Sequence, residues 1–306
     1  MNKISIVGAG RVGETAASIL AQQNLCSEVV LLDVRDGAAA GAALDIQQSA
    51  AYFGFDTRVS GSNDPEIISN SELVIITAGS PRKPGMSRSD VLDVNRKVID
   101  SIVDEVQKFA PDTLLLLVSN PVDVLTWHAL QRTGWNRNRI IGQAGVLDSS
   151  RMAGFISMET GYSIKDIHTM VIGGHGDIMV PLFRHTGING IPATEFLDAA
   201  AMQRITERTC HGGAEVLELR KTSSAYNAPA AAIATMVDAI CNNRRRILPC
   251  ISALEGEYGE HNVTAGVPVI LGRNGIESVV EVELDESEQA AFRRSIAKIR
   301  KNLALL

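Results

Sequence analysis

One histidine and several charged residues in this chain have the types and spacing of an acid–base site. His175 lies in a glycine-rich segment, Gly-Gly-His-Gly-Asp, and Asp148 and Arg151 lie upstream of it. A histidine can accept and return a proton near neutral pH, and a carboxylate beside it can fix its tautomer. Guanidinium groups bind carboxylates bidentately, and Arg82 and Arg88 supply two more of them. The set therefore suits proton transfer on a small anionic substrate.

Three of these residues have a structural alternative. His175 could be a buried structural histidine, and Arg82 could be a solvated loop cation. Asp148 precedes two serines, so it could instead cap the N-terminus of a helix. If a helix begins near Asp148, the spacing of three residues places Arg151 on the same helix face.

A glycine-rich loop near residue 10 predicts a dinucleotide site. Gly8-x-Gly10-x-x-Gly13 follows a strand-like run, and Asp33 ends the next such run, 20 residues past Gly13. Glycines let the backbone turn and approach a pyrophosphate at a helix N-terminus. Asp33 can accept hydrogen bonds from a ribose diol and would repel a 2′-phosphate, which favours NAD over NADP, although Arg35 lies close by. The alternative is a glycine turn that only packs a helix on a sheet.

A dinucleotide site and a proton acceptor together indicate hydride transfer on a hydroxy or keto acid. The elements that must position them are strands and helices in alternation. Apolar strand-like runs cover 3–7, 28–33, 73–77 and 114–118, and helical patterns cover 14–23, 38–51 and 90–109. This order predicts right-handed crossovers and a Rossmann-type, doubly wound parallel sheet of the α/β class.

The pattern changes after about residue 142. Short strand-like pieces at 169–172, 267–271 and 279–283 mix with helical patterns at 199–222, at 228–242 and in a C-terminal helix after Asp285. Asp285 with Glu288 resembles a capping box for that last helix. We therefore predict an NAD-binding domain over 1–143 and a mixed α+β substrate domain over 144–306.

Composition excludes several classes of function. The chain has 306 residues, 45% of them hydrophobic, and a net charge of −6, which argues against nucleic acid as a partner. It has no apolar run of about 18 residues, so we expect no membrane span. The first strand-like run begins at Lys3, which leaves no room for a signal peptide and favours a cytoplasmic protein. Cys210-His211 has no second pair at zinc-ligand spacing, so we expect no metal site.

Six motifs of this chain jointly resemble the lactate/malate dehydrogenase family over essentially the whole sequence. They occur in the order and approximate spacing of the family: Gly8-Ala-Gly-Arg-Val-Gly13, Asp33, Thr77-Ala-Gly79, Val118-Ser-Asn-Pro121, Leu147-Asp-Ser-Ser-Arg151 and Gly174-His-Gly-Asp177. The resemblance implies a contact between Asp148 and His175, and it implies a homodimer or homotetramer.

Arg82 indicates which acid the site takes. In the lactate-oxidising members that the chain resembles, a glutamine stands in its place. A buried guanidinium can pair with a second carboxylate, as in malate or oxaloacetate, but with pyruvate it would stay unpaired at a cost of about 3–5 kcal/mol. That penalty is worth about two to three orders of magnitude in selectivity. Malate/oxaloacetate is therefore the expected substrate pair, and lactate or another 2-hydroxy acid is the alternative.

The remaining site residues follow from their chemistry and the resemblance. Arg151 is expected to bind the C1 carboxylate and Arg88 to polarise the C2 oxygen. Asn120 could donate to that oxygen or to the cofactor, or it could be only a turn residue before Pro121. The resemblance places Ser224 at the distal end of the substrate pocket.

The predicted cofactor contacts are Gly8, Ala9, Gly10, Arg11, Val12, Gly13, Asp33, Thr77, Ala78, Gly79, Asn95, Val118, Ser119 and Asn120. The alternative from another class is a non-catalytic module that only binds a dinucleotide. Such a module would need none of the acid–base residues, so their presence favours an enzyme.

Overall fold

The structure is a computed structural model that describes residues 1–80 and 88–306, with side chains from residue 90 onward in the second range. Arg82 therefore lies outside the described residues. Of Arg88 only the backbone is described, and it begins a helix.

Strands and helices alternate through the first half, as the apolar runs predict. The elements are β1 (Lys3–Val7), α1 (Arg11–Gln22), β2 (Glu28–Leu32), α2 (Ala38–Gln48), α3 (Ala50–Phe53), β3 (Arg58–Ser62), β4 (Leu73–Ile76), α4 (Arg88–Phe109), β5 (Leu114–Leu117), α5 (Val122–Thr133) and β6 (Ile140–Gly142). The predicted single helix over 38–51 is divided at Ser49, whose hydroxyl donates to the Ile46 carbonyl.

The second half mixes antiparallel strands with longer helices. Its elements are α6 (Gly145–Thr160), β7 (Ile167–His168), β8 (Val171–Gly173), β9 (Met179–Pro181), β10 (Gly187–Ile188), β11 (Ile191–Pro192), α7 (Ala199–Arg220), α8 (Asn227–Cys241), β12 (Arg246–Glu255), β13 (His261–Gly272), β14 (Gly275–Val279) and α9 (Glu286–Leu303). The capping box of Asp285 and Glu288 at the start of α9 is confirmed.

The large sheet has the order β3-β2-β1-β4-β5-β6-β12-β13-β8-β9, with β14 on β13. Strands β1 to β6 pair in parallel. Their order of 3-2-1-4-5-6 is that of a doubly wound dinucleotide-binding sheet, which confirms the predicted fold class. Ligands bind such sheets at the carboxyl ends of the strands, so β1, β4 and β5 must end near the site.

The strand predicted at 279–283 is wrong in its position. Strand β14 ends at Val279, which pairs with Val269 of β13. The next residue, Val280, donates to the carbonyl of Pro268 at 2.8 Å. Proline has no N–H to return that bond, so the ladder stops there.

The interior is built mainly from the apolar runs that the sequence shows. Ile4, Ile6, Leu73, Ile75 and Leu116 are fully buried within one core cluster between the sheet and its helices. Within the described ranges, no helix is long and apolar enough to cross a membrane.

Candidate active site

His175 and Asp148 form the predicted pair. The Nδ1 atom of His175 lies 2.9 Å from Oδ2 of Asp148, and the aspartate side chain is almost completely buried. Asp148 does not cap a helix, because α6 begins earlier, at Gly145, with Ala144 in the cap position. The alternative of an N-cap is therefore wrong. A carboxylate on Nδ1 leaves Nε2 as the nitrogen that can exchange a proton with a substrate.

Arg151 shares the same carboxylate. Its guanidinium donates to Oδ1 of Asp148 at 3.0 Å, and its side chain is 14% exposed. The two residues lie on one face of α6, as predicted, and there the spacing of three residues also produces a direct contact. That bond uses one of the five donors of a guanidinium, so Arg151 can also bind a substrate carboxylate.

Gly212 of α7, more than its neighbour Gly213, gives Arg151 its room. A Cβ at Gly212 would lie 3.3 Å from Cδ of Arg151, and one at Gly213 would lie 3.5 Å from its Nη2. The sequence analysis missed these two residues. Their signal is a pair of adjacent glycines inside a helix, where glycine normally costs stability.

Asp123 is a second site residue that the sequence analysis missed. Its carboxylate accepts from the backbone N–H of His175, at 3.1 Å to Oδ2, and its own backbone carbonyl accepts from Thr264 at 2.7 Å. Ser295 of α9 accepts from the neighbouring Gly174 N–H at 2.8 Å. The histidine loop is therefore held by α5, α6 and α9 together. An acidic residue in the first turn of α5, directly after Asn120-Pro121, was the available signal.

Two carboxylates, one on the imidazole ring and one on the backbone N–H of the same residue, affect the charge of His175. Burial alone would lower the pKa of His175, but Asp148, with a smaller contribution from Asp123, outweighs burial and raises that pKa above its ordinary value. Burial raises the pKa of Asp123 to about 6, against the opposing attraction of His175. Around neutral pH, Asp123 is thus mostly ionised, and the protonated form of His175 is supported.

The predicted polar residues after β4 and β5 lie at the carboxyl edge of the parallel sheet, and the histidine loop lies at the same edge. Asn120 follows β5 and is exposed, three residues before Asp123. Asn95 is buried, donates to the Asn120 carbonyl at 2.7 Å and accepts from the Ser80 N–H at 2.7 Å. It therefore connects the loop after β4 to the loop after β5. Ser119 donates to the Ala78 carbonyl, and Val118 and Gly79 lie beside these two residues.

The glycine loop fits a dinucleotide. A Cβ at Gly8 (φ +109°) or at Gly13 would collide with backbone or with Thr77, whose hydroxyl donates to the Gly8 carbonyl at 2.9 Å. These glycines let α1 pack against β1 and β4. Gly10 differs, because a Cβ there would meet nothing within 4 Å. Gly10 lies at the N-terminus of α1, with Val12 in the first turn of that helix, and a pyrophosphate binds at the N-terminus of the helix in sheets of this kind.

Asp33 lies beside the glycine loop, as predicted. The carboxylate accepts from the Ala9 N–H at 2.8 Å, which ties the end of β2 to the loop. The Arg35 guanidinium pairs with it at 2.9 Å and lowers the pKa of Asp33, so that Asp33 is an anion at neutral pH.

Ser224 was predicted to contact the substrate and Arg11 the cofactor. The two residues lie near each other, where the first half of the chain meets the second. Arg11 donates to the Ser223 hydroxyl at 3.3 Å and lies 5.4 Å from the ring centre of Tyr226. Ser224 is exposed in the same loop between α7 and α8. The glycine loop of the first half thus contacts the loop on which Ser224 lies.

A doubly wound dinucleotide-binding sheet with a buried histidine–aspartate pair beside its carboxyl edge is typical of an NAD-dependent oxidoreductase. Family models agree over nearly the entire chain: the NAD-binding domain of lactate/malate dehydrogenase matches residues 2–142, and the α/β C-terminal domain of the same family matches residues 145–305. The chain belongs to the lactate/malate dehydrogenase family.

Individual relatives are similar over their full lengths. The malate dehydrogenase of Thioalkalivibrio sulfidiphilus is 63% identical over 303 residues, covering 99% of each chain, and that of Nitrosococcus oceani is 60% identical over 306 residues, covering 100% of this chain and 98% of the relative. Among solved structures, Cryptosporidium parvum malate dehydrogenase superposes with a TM-score of 0.96 at 38% identity, covering 100% and 99% of the two chains. A Cryptosporidium parvum lactate dehydrogenase complexed with lactic acid and NAD superposes at 0.95 with 36% identity, covering 99% and 97%.

Proposed function

We propose that this chain catalyses the reversible oxidation of (S)-malate to oxaloacetate with NAD, a reaction of the tricarboxylic acid cycle. The observation that carries the proposal is the buried pair of His175 and Asp148, with Arg151 on the second oxygen of the same carboxylate. The malate dehydrogenases that are 60% identical or more support the choice of acid.

His175 transfers the proton. In malate oxidation, Nε2 of the neutral imidazole accepts the proton of the C2 hydroxyl, while Nδ1–H stays on Asp148. The Asp148 carboxylate stabilises the imidazolium that forms, and Asp123 holds the backbone of the histidine in place. Bound NAD supplies the acceptor for the hydride that leaves C2. In oxaloacetate reduction the imidazolium returns its proton to the C2 oxygen.

The arginines orient and select the substrate. Arg151, positioned by Asp148 and by α7, binds the C1 carboxylate. We propose that Arg88 polarises the C2 oxygen and that Asn120 donates to the same oxygen from the end of β5. Arg82 is proposed to pair with the second carboxylate, on the sequence argument alone. Ser224 is proposed to line the distal end of the pocket.

Selectivity between two keto acids tests the choice of substrate. The experiment compares kcat/KM for NADH-dependent reduction of oxaloacetate and of pyruvate, in the unchanged chain and in Arg82→Gln. We expect oxaloacetate to be preferred by about two to three orders of magnitude, and Arg82→Gln to lose most of that preference. A preference for pyruvate in the unchanged chain would support the lactate alternative. Unchanged selectivity in the variant would remove Arg82 from this role.

We also propose a homo-oligomer, either a dimer or a tetramer. Tyr52 is 92% exposed, and Leu44 and Phe53 are each 60% exposed, on the consecutive helices α2 and α3. Contiguous exposed apolar patches mark interaction sites, and we propose that these three side chains form one. Sedimentation equilibrium gives the mass directly, and Tyr52→Lys with Phe53→Lys should lower it, whereas a monomeric mass in the unchanged chain would contradict the proposal.

A division into an NAD-binding domain over 1–143 and a substrate domain over 144–306 remains our proposal. The change from parallel to antiparallel pairing between β6 and β12 and the ranges of the two family models support it. A cytoplasmic location is also proposed, and the free thiols of Cys26, Cys210, Cys241 and Cys250 favour a reducing compartment. Limited proteolysis tests the first proposal, and cell fractionation tests the second.

A further inference from the structure

The hydrogen bonds of Asp33 are all made within the chain. Oδ1 accepts from the backbone N–H of Arg35 at 3.0 Å and from its Nε at 2.9 Å. Oδ2 accepts from the backbone N–H of Ala9 at 2.8 Å and from Nη2 of Arg35 at 3.0 Å. An ionised carboxylate has about four lone-pair positions, so these four bonds occupy them all.

A ribose diol needs two of those positions. The two backbone donors are fixed, one in the glycine loop and one in the loop that follows β2. The guanidinium of Arg35 is different, because 63% of its side chain surface is exposed and a solvated group can replace its partner with water. The two side-chain bonds of Arg35 must therefore open before the adenosine ribose can bind Asp33.

We propose that Arg35 is a second determinant of cofactor choice: it leaves Asp33 when the ribose binds, its guanidinium can then pair with a 2′-phosphate, and the chain accepts NADP as a secondary cofactor. The inference rests on the proposed role of Asp33 as the ribose acceptor.

The positive charge of Arg35 determines whether this residue weakens or strengthens the binding of each cofactor. With NAD, the guanidinium loses its carboxylate partner and keeps only the Ala9 carbonyl, to which Nη2 donates at 3.1 Å, so Arg35 weakens binding slightly. With NADP, the guanidinium neutralises the phosphate that Asp33 repels, and guanidinium–phosphate pairs are bidentate and strong. Arg35 therefore narrows the preference for NAD that Asp33 creates.

Binding of two nicotinamide-free probes tests this without any turnover. Isothermal titration calorimetry at low salt compares ADP-ribose with 2′-phospho-ADP-ribose. In Arg35→Met, which removes the charge and keeps a similar stem, we expect the phosphorylated probe to bind at least about tenfold more weakly. ADP-ribose should bind equally well or a few-fold more tightly. Arg35→Lys should lie between, because an ammonium is a point charge without the planar fork.

The matched control is Arg58→Met. Arg58 is exposed and begins β3, at the edge of the parallel sheet opposite to the carboxyl ends. It has the same charge as Arg35, so the control removes one charge at a distance from the ribose site, and the ratio of the two dissociation constants should not change.

The inference would be overturned if Arg35→Met changed the dissociation constants of both probes by the same factor. It would also be overturned if the ratio of those two constants stayed within twofold of its value in the unchanged chain. Oxaloacetate reduction by the unchanged chain would then still support the proposed function. Conversely, probe binding as expected in a chain that reduces no keto acid would overturn the proposed function and leave the role of Arg35 intact.

Discussion

The two carboxylates that contact His175 make different contributions to the charge of its imidazole, and neutral substitutions separate these contributions. Asp148 contacts the ring at 2.9 Å, whereas Asp123 accepts from the backbone N–H at 3.1 Å. Asparagine keeps the size and one carbonyl acceptor in each place but removes the negative charge. Asp148→Asn and Asp123→Asn therefore test charge with little change of shape.

The size of the effect expected for Asp148→Asn follows from the contact between the Asp148 carboxylate and the His175 ring. Two unit charges about 4 Å apart attract by about 4 kcal/mol at the effective dielectric of a protein site. Asp148→Asn removes this attraction and therefore lowers the pKa of His175. The imidazolium that oxaloacetate reduction requires then becomes scarce at pH 7, so we expect kcat/KM for reduction to fall by about two to three orders of magnitude. Asp123→Asn should cost less, about tenfold, because its charge lies farther from the ring.

The assay is the pH dependence of kcat/KM in both directions. The raised pKa of His175 means that the unchanged chain keeps its imidazolium to higher pH. In Asp148→Asn, reduction should be lost at a lower pH, and the rise of malate oxidation with pH should also begin at a lower pH. Below pH 6 the difference between Asp123→Asn and the unchanged chain should shrink, since the pKa of Asp123 is about 6 and its carboxylate becomes neutral there.

If Asp148→Asn lowered kcat/KM by the same factor at every pH, this reasoning would be refuted. That result would mean that Asp148→Asn acts by misplacing the ring and not by changing its charge. A larger shift of the pH profile in Asp123→Asn than in Asp148→Asn would likewise refute the assigned order of the two carboxylates.

Glycine substitutions separate packing from binding at two places in the site. Gly10→Ala should leave the thermal midpoint unchanged, because a Cβ there meets nothing within 4 Å. It should weaken NAD binding by about tenfold or more if the pyrophosphate lies in that space, and tight NAD binding in this variant would refute the placement. Gly13→Ala should lower the midpoint sharply, since its Cβ would overlap a backbone carbonyl oxygen. Gly212→Ala should raise KM for oxaloacetate by about threefold to tenfold by displacing Arg151, while helix stability rises by about 1 kcal/mol. Gly213→Ala is its control, with the same gain in helix stability and no change of KM, and equal KM values in the two variants would count against the positioning of Arg151.

The cofactor half was predictable because its signals are local in sequence. Gly8, Gly10, Gly13 and Asp33 lie within one strand–helix–strand unit, whose geometry fixes their arrangement. The Asp148–Arg151 contact was predictable for the same reason, since helical spacing alone brings the two side chains together.

The contacts that complete the site connect residues far apart in sequence. Asp123 and His175 are 52 residues apart, and the supporting Ser295 lies 121 residues beyond Gly174. No periodicity or composition encodes which loop docks on which helix. Burial of Asp123 also hid its role, because an acidic residue near a helix start is usually exposed.

Arg35 illustrates a different limit. The sequence showed a cation two residues after Asp33 but did not show whether the guanidinium faces solvent or the carboxylate. The structure shows both: the side chain is mostly exposed and still fills two acceptor positions of Asp33.

The most direct test of the account is the rate of hydride transfer in His175→Asn. Stopped-flow absorbance at saturating NADH and oxaloacetate measures that step, and NADH fluorescence measures binding in the same samples. We predict that the rate falls by about 10² to 10⁴ while the affinity for NADH is unchanged, because the ring supplies a proton and does not hold the cofactor. A rate within a few-fold of the unchanged chain would contradict the central claim that His175 is the acid–base group.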